Sequence, residues 1–151
     1  MYGCVLLFHC THMKTRILIF GTYDGVHEGH RSFFAQARAL APDPYLVVSL
    51  ARDVNVLKVK GKLPFETEEE RKAALEKEVL VDEVVLGALD DDYISHVLAE
   101  HPDIIALGYD QSGTKYTDSL EDKLTRAGCT ARIVRCEPYK PEIYKSSKLH
   151  R

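Results

Sequence analysis

No stretch of this chain is apolar over the roughly 20 residues that a membrane-spanning helix requires. The run Val5-Leu6-Leu7-Phe8 is too short for a signal-peptide core, and no basic residue precedes it, so a cytoplasmic protein is expected. Cysteine is sparse: Cys4, Cys10, Cys129 and Cys136 show no Cys-x-x-Cys spacing, and in a reducing compartment they read as thiols rather than disulfides. An excess of positive charge is also missing. With a net charge of -3 the chain has no global field to hold nucleic acid or an anionic membrane, so neither is an expected partner. No low-complexity tract is present, and 45% hydrophobic against 28% charged residues is ordinary for a globular protein. Any anionic ligand must therefore be gripped by a local cluster of donors.

At 151 residues the expectation is a single domain over residues 14–151, preceded by an extension of uncertain order at 1–13. Cys4, His9, Cys10 and His12 crowd together there, but their spacing matches no zinc framework. A tail ahead of the first strand is the plainer reading, and Met13 offers an alternative start.

Arg16 to Phe20 is a nearly continuous apolar run ending at Gly21, as suits a strand buried on both faces. From about Glu28 to Leu40, Phe33, Phe34, Ala37 and Leu40 recur at helical spacing. Tyr45–Leu50 reads as a second strand, followed by a lysine-rich polar loop from Lys58 to Pro64. Thr67 with Glu70 is a capping box opening a helix to about Glu78. Val84–Leu86, Ile104–Leu107 and Thr130–Cys136 read as three more strands. Between them lie a helix with Asp90, Asp91 and Asp92 at its first turn and another from Thr117 to Arg126, stopped by Gly128. Alternation of this kind predicts an α/β fold: a doubly wound, Rossmann-like, five-stranded parallel sheet with helices on both faces. Ligands in such sheets bind beyond the carboxyl ends of the strands.

The loop after the first strand runs Gly21-Thr22-Tyr23-Asp24-Gly25-Val26-His27-Glu28-Gly29-His30 and leads into a helix. A helix start offers unpaired N–H groups and partial positive charge, which suits phosphate. His27 and His30, three apart, bring both rings to one side, and Gly29 removes a side chain where a phosphate would approach. Two imidazoles there can donate to a triphosphate as charge builds on departing pyrophosphate. Either histidine alone would read as a surface residue at a helix cap; the constellation argues for chemistry.

Phe20-Gly21-Thr22-Tyr23-Asp24 followed by His-Glu-Gly-His resembles the first motif of the cytidylyltransferase-like nucleotidyltransferase superfamily. The similarity runs from about Lys14 to the C-terminus, through Ala51-Arg52-Asp53, Lys60-Gly61-Lys62-Leu63-Pro64, Val81 to Gly87, and Ile105 to Gln111. It implies His27, His30 and Lys60 as catalytic residues, and Phe20, Gly21, Thr22, Tyr23 and Gly29 as nucleotide-binding. Lys58, Lys60 and Lys62 alternate, and such runs are commonly solvated, but the resemblance points to Lys60, with Lys62 beside it, as a contact to the α-phosphate. Gly108-Tyr109-Asp110-Gln111 is similar to the loop along base and ribose, although Asp110 also suits a simple turn. Ser146 and Ser147 resemble the family's Ser/Thr-rich grip on the β- and γ-phosphates, which alone would read as a serine cap. Here the chain departs from pattern, because it ends at Arg151 and leaves that helix short.

Asp24 has two readings: placing the acceptor or a magnesium-bound water, or satisfying the backbone of its own turn. Magnesium is expected to arrive with the nucleotide, with no metal held by the protein alone. Arg71 reads as a side chain snorkelling on its helix surface. Cys129 and Cys136 read as packing thiols, with redox sensitivity near the site as the alternative. The resemblance implies transfer of a nucleoside monophosphate from ATP or CTP to a phosphate-bearing acceptor, and relatives of the superfamily often pair as homodimers. Archaeal-type FAD synthases, which adenylylate FMN, are favoured by Leu107–Gln111, Val81–Gly87 and the stretch from Pro138 to Ser147. The alternatives are a CTP-dependent enzyme acting on glycerol 3-phosphate and a non-catalytic nucleotide-binding module.

Overall fold

The computed structural model describes residues 14–90, 92–108 and 115–138. Along them run β1 (Thr15–Gly21), α1 (Glu28–Arg38), β2 (Pro44–Leu50), α2 (Asp53–Lys60), α3 (Glu68–Glu76), β3 (Glu83–Leu86), α4 (Tyr93–Ala99), β4 (Ile104–Leu107), α5 (Lys115–Arg126) and β5 (Arg132–Arg135). The strands form one sheet in the order β3-β2-β1-β4-β5, and every pairing is parallel. The fold is therefore the doubly wound α/β sheet that the alternating pattern predicts.

Strand periodicity divides the core between the two faces. Ile17 and Ile19 of β1, Leu46 and Val48 of β2 and Ile104 of β4 pack with Phe34 and Ala37 of α1 and Leu75 of α3. Leu18, Val47 and Ile105 point to the other face, where Val97 of α4 and Leu124 of α5 cover them. Strands β1, β2 and β4 lie inside the sheet, which is why their sequences are apolar on both faces rather than alternating. The chain winds outward from β1 to β3, then returns to place β4 on the other side of β1. That reversal opens a crevice beyond the carboxyl ends of β1 and β4, the switch point of this sheet.

One segment departs from the expectation. The polar loop expected over Lys58–Pro64 is in part helix: α2 carries Lys58 and Lys60 in its last turn and ends at Gly61, whose φ of 74° is left-handed. The β-branched residues Val54, Val56 and Val59 and the lack of an apolar stripe hide this helix from periodicity. Its start is fixed from a distance. The Asp53 N–H donates to Glu68 Oε2 (2.8 Å) and the Glu68 N–H donates to Asp53 Oδ2 (3.1 Å), so α2 and α3 cap each other. The expected acidic first turn of α4 is narrower: Asp92 is its N-cap, accepting from the Ser95 N–H at 3.1 Å, and Asp91 lies outside the described residues.

Candidate active site

Beyond β1 the backbone makes a tight, strained turn. Tyr23 has φ of 50°, a left-handed conformation that costs a non-glycine residue roughly 1 kcal/mol. What holds it there is burial. The ring is 4% exposed, meets His30 edge-on at 5.1 Å, packs against Phe34 at 5.6 Å, and its hydroxyl donates to the Phe20 carbonyl at 3.3 Å. The ring occupies the space a side chain would need at Gly21, where a Cβ would sit 2.6 Å from Tyr23 Cε2. Gly21 is thus required by close packing, and the Tyr23 ring supports His30.

His27 is the N-cap of α1, and with His30 it forms a capping box made of imidazoles. His27 Nδ1 accepts from the Gly29 N–H at 3.1 Å, and His30 Nδ1 accepts from the His27 N–H at 3.2 Å. The rings stack with centroids 3.8 Å apart and planes 24° from parallel. An Nδ1 that accepts leaves the proton of a neutral imidazole on Nε2, so each ring presents its far edge as an N–H donor. Burial, then the neighbouring His27 and Arg31, push the His30 pKa down to about 3, so it is neutral at physiological pH. His27 Nε2 is shielded from solvent, and a donor in such a low-dielectric setting acts more strongly than one in water.

Facing this mouth is the α2–α3 segment. Asp24 accepts from the N–H groups of Phe65 (2.8 Å) and Glu66 (3.0 Å), and Glu66 in return accepts from the Gly25 N–H at 3.3 Å. Asp24 thereby holds a loop some forty residues on, because the α2–α3 connection folds back against the first motif. Lys60 Nζ reaches Thr22 Oγ1 at 3.5 Å, bringing the lysine to the mouth of α1. Lys62 lies in the exposed loop after Gly61.

Arg71 overturns the expectation of a snorkelling surface residue, since it is fully buried. Its guanidinium donates to the carbonyls of Glu66 (3.2 Å), Thr22 (2.7 Å) and Ala51 (2.9 Å) and pairs with Asp53 Oδ1 at 2.6 Å. One cation therefore joins the first motif, the end of β2, the start of α2 and the loop before α3. Burying a charge is tolerated because the planar fork is satisfied on every side. An arginine on a helix of glutamates and lysines carries no sequence signal of burial.

These geometries meet a family. The model of the cytidylyltransferase-like family matches residues 18–151. The chain belongs to the cytidylyltransferase-like nucleotidyltransferase family. It is 41% identical over 124 residues to the FAD synthase of Korarchaeum cryptofilum, covering 82% of each chain. It is 42% identical over 123 residues to the FAD synthase of Methanosarcina barkeri, covering 80% of this chain and 82% of that one. A solved structure described as the lipopolysaccharide core biosynthesis protein from Thermoplasma volcanium superposes with a TM-score of 0.75 at 33% identity, over 85% of this chain and 100% of that one.

Within this cytidylyltransferase-like fold, Gly21, Thr22, Gly29, His27, His30 and Lys60 converge at the carboxyl end of β1. Phe20 turns to the opposite face and packs against the Leu18–Ile105 cluster. Gly108 follows β4 across the crevice, while Asp110, Ser146 and Ser147 lie outside the described residues. Cys129 and Cys136 are free thiols flanking β5; Cys136 is buried in the core, and burial raises its pKa away from thiolate character. Among the described residues no group of three His, Cys, Asp or Glu side chains is disposed to hold a metal. No helix among them is long and apolar enough to cross a membrane. Two surface hollows, at Val81–Val84 and at His101–Asp103, lie by the amino ends of β3 and β4, away from this mouth.

Proposed function

We propose that this chain transfers AMP from ATP to FMN, forming FAD and pyrophosphate. The observation that carries the chemistry is the stacked His27–His30 pair at the opening of α1, with both Nδ1 atoms committed to the backbone. The acceptor rests on the likeness to the archaeal FAD synthases. An oxygen of the FMN phosphate attacks the α-phosphorus in line. The new P–O bond forms as the bond to the bridging oxygen breaks, and pyrophosphate departs with its electron pair. No protein nucleophile is needed; positioning and charge neutralisation supply the rate.

The Nε2–H edges of His27 and His30 and the α1 N–H groups meet the charge developing on pyrophosphate. Lys60, already beside Thr22, adds a point charge at the α-phosphate, with Lys62 as a second cation from the adjoining loop. Both Asp24 oxygens already accept backbone N–H groups, which suits a structural post better than a metal ligand. Magnesium fits this site as a counter-ion travelling on the triphosphate, neutralising its charge, rather than in a protein-made cage. Gly108 and Asp110 would line base and ribose, and Ser146 with Ser147 would close on the terminal phosphates. The folded unit is a single domain over 14–151, acting in the cytoplasm and pairing as a homodimer, a state light scattering would measure.

The deciding experiment incubates ATP or CTP with magnesium and each of FMN, glycerol 3-phosphate, phosphoethanolamine and nicotinamide mononucleotide, reading pyrophosphate and product. FAD from ATP plus FMN is expected, with His27→Ala lowering kcat about 10²- to 10³-fold, as loss of one transition-state donor does elsewhere. Turnover with CTP and glycerol 3-phosphate alone, or nucleotide binding without release under any acceptor, would replace this reading.

A further inference from the structure

Five of the seven exposed large hydrophobic residues among those described fall between residues 54 and 65. Scattered apolar side chains are normal on a surface, but a concentration on one short segment marks a contact site. Phe65 is 68% exposed, Leu63 58% and Leu57 46%. Leu57 stands three residues before Lys60 in α2, so the two share a helix face. Phe65 is tied to the cradle by its own backbone, since its N–H donates to Asp24 Oδ2 at 2.8 Å. Lys60 is tied to the same loop through Thr22. The segment thus carries an aromatic ring and two leucines along the same stretch of chain as lysines that suit a phosphate, and it is tied to the first motif at Asp24 and Thr22.

We infer that Phe65, with Leu63 and Leu57 on the same segment, is the platform on which the planar ring system of the acceptor lies while its phosphate meets Lys60. The inference rests on the FMN reading above and adds the residues that would select a flavin over a small alcohol phosphate. Glycerol 3-phosphate and phosphoethanolamine carry no apolar body to desolvate such a surface, so they gain nothing from it. A tricyclic ring gains both area burial and offset stacking on Phe65.

Two variants and one control test it. Phe65→Ala removes an exposed ring without touching the core, so the fold should persist. Loss of stacking and buried area is expected to raise the KM for FMN about tenfold with the KM for ATP little changed. Phe65→Trp introduces the sole tryptophan of the chain. Its emission should be quenched by added FMN over the same concentration range that saturates turnover, and glycerol 3-phosphate should not quench it. An active enzyme whose KM for FMN is unmoved by Phe65→Ala and Leu63→Ala would overturn the platform. So would a Phe65→Ala protein of halved mass in light scattering, because the surface would then be a subunit contact. FMN quenching of Phe65→Trp needs no ATP. Quenching without FAD formation therefore supports the platform while refuting the reaction; FAD formation without quenching does the reverse.

Discussion

The two walls of the mouth beyond β1 are built on opposite plans. The α1 wall is local: His27, Gly29 and His30 cap one another within four residues, and Tyr23 braces them from the same loop. The α2–α3 wall is long-range. Its helix has no apolar stripe, and its position comes from Asp53 with Glu68, Arg52 with Glu68, Asp24 with the 65–66 backbone, and above all Arg71. A wall made from adjacent residues finds its hydrogen-bond partners within one helical turn, whereas a wall made from distant polar partners exists only once the sheet has brought them together. The first suits rigid donors, and the second suits a lysine arm that must be presented at one place.

The comparison breaks most severely at Arg71. Replacing it with Met removes one partner of a buried ion pair and three carbonyl contacts, and should cost about 3 to 5 kcal/mol in denaturant titration. Lysine at that position should recover only part, because a point charge cannot copy the fork. A loss confined to activity, with stability intact, would mean that the α2–α3 wall does not depend on this cation.

The local wall has its own weakness, which is acid. His30 holds a pKa of about 3 in the fold against 6.5 for a free imidazole, so the unfolded chain takes up its proton first. Stability should be flat above pH 6.5 and fall as pH drops through 6.5 toward 3, by about 2 kcal/mol between pH 7 and pH 5 from this group. His30→Gln should flatten that part of the profile. If it does not, the imidazole is not held neutral by its surroundings.

Gly21→Ala tests the packing beneath the histidines. The new methyl would overlap the Tyr23 ring at 2.6 Å, so the ring must shift and loosen its edge contact with His30. A loss of about 2 kcal/mol in stability and a raised KM for ATP are expected. The smallest effect should come from Thr67→Ala at the α3 N-cap, about 1 kcal/mol by the same titration, with kcat little changed. That would separate the ordinary cap of α3 from the imidazole cap of α1.

Much of this was legible in advance, for identifiable reasons. Short apolar runs around Ile17–Ile19, Val47–Val48 and Ile104–Ala106 read as strands covered on both faces, and the Thr67–Glu70 box names the start of α3 without tertiary help. The paired histidines read as a unit because three-residue spacing at a helix entrance is itself geometric. Helix α2 was not legible, since valine-rich sequence without a stripe has no preferred face. Arg71 was not, because a charged residue among glutamates reads as solvated until its partners arrive from residues 22, 51, 53 and 66.

By itself, then, the order of residues determined the parallel α/β class, the site of the first turn and the donor pair at its mouth, because each depends on neighbours within one helical turn or one strand. Only the assembled tertiary structure decided that a buried guanidinium ties the second wall to the first and that Asp24 serves a distant loop. Those contacts join groups tens of residues apart, and no local periodicity encodes a partner that the chain meets only after the sheet has formed.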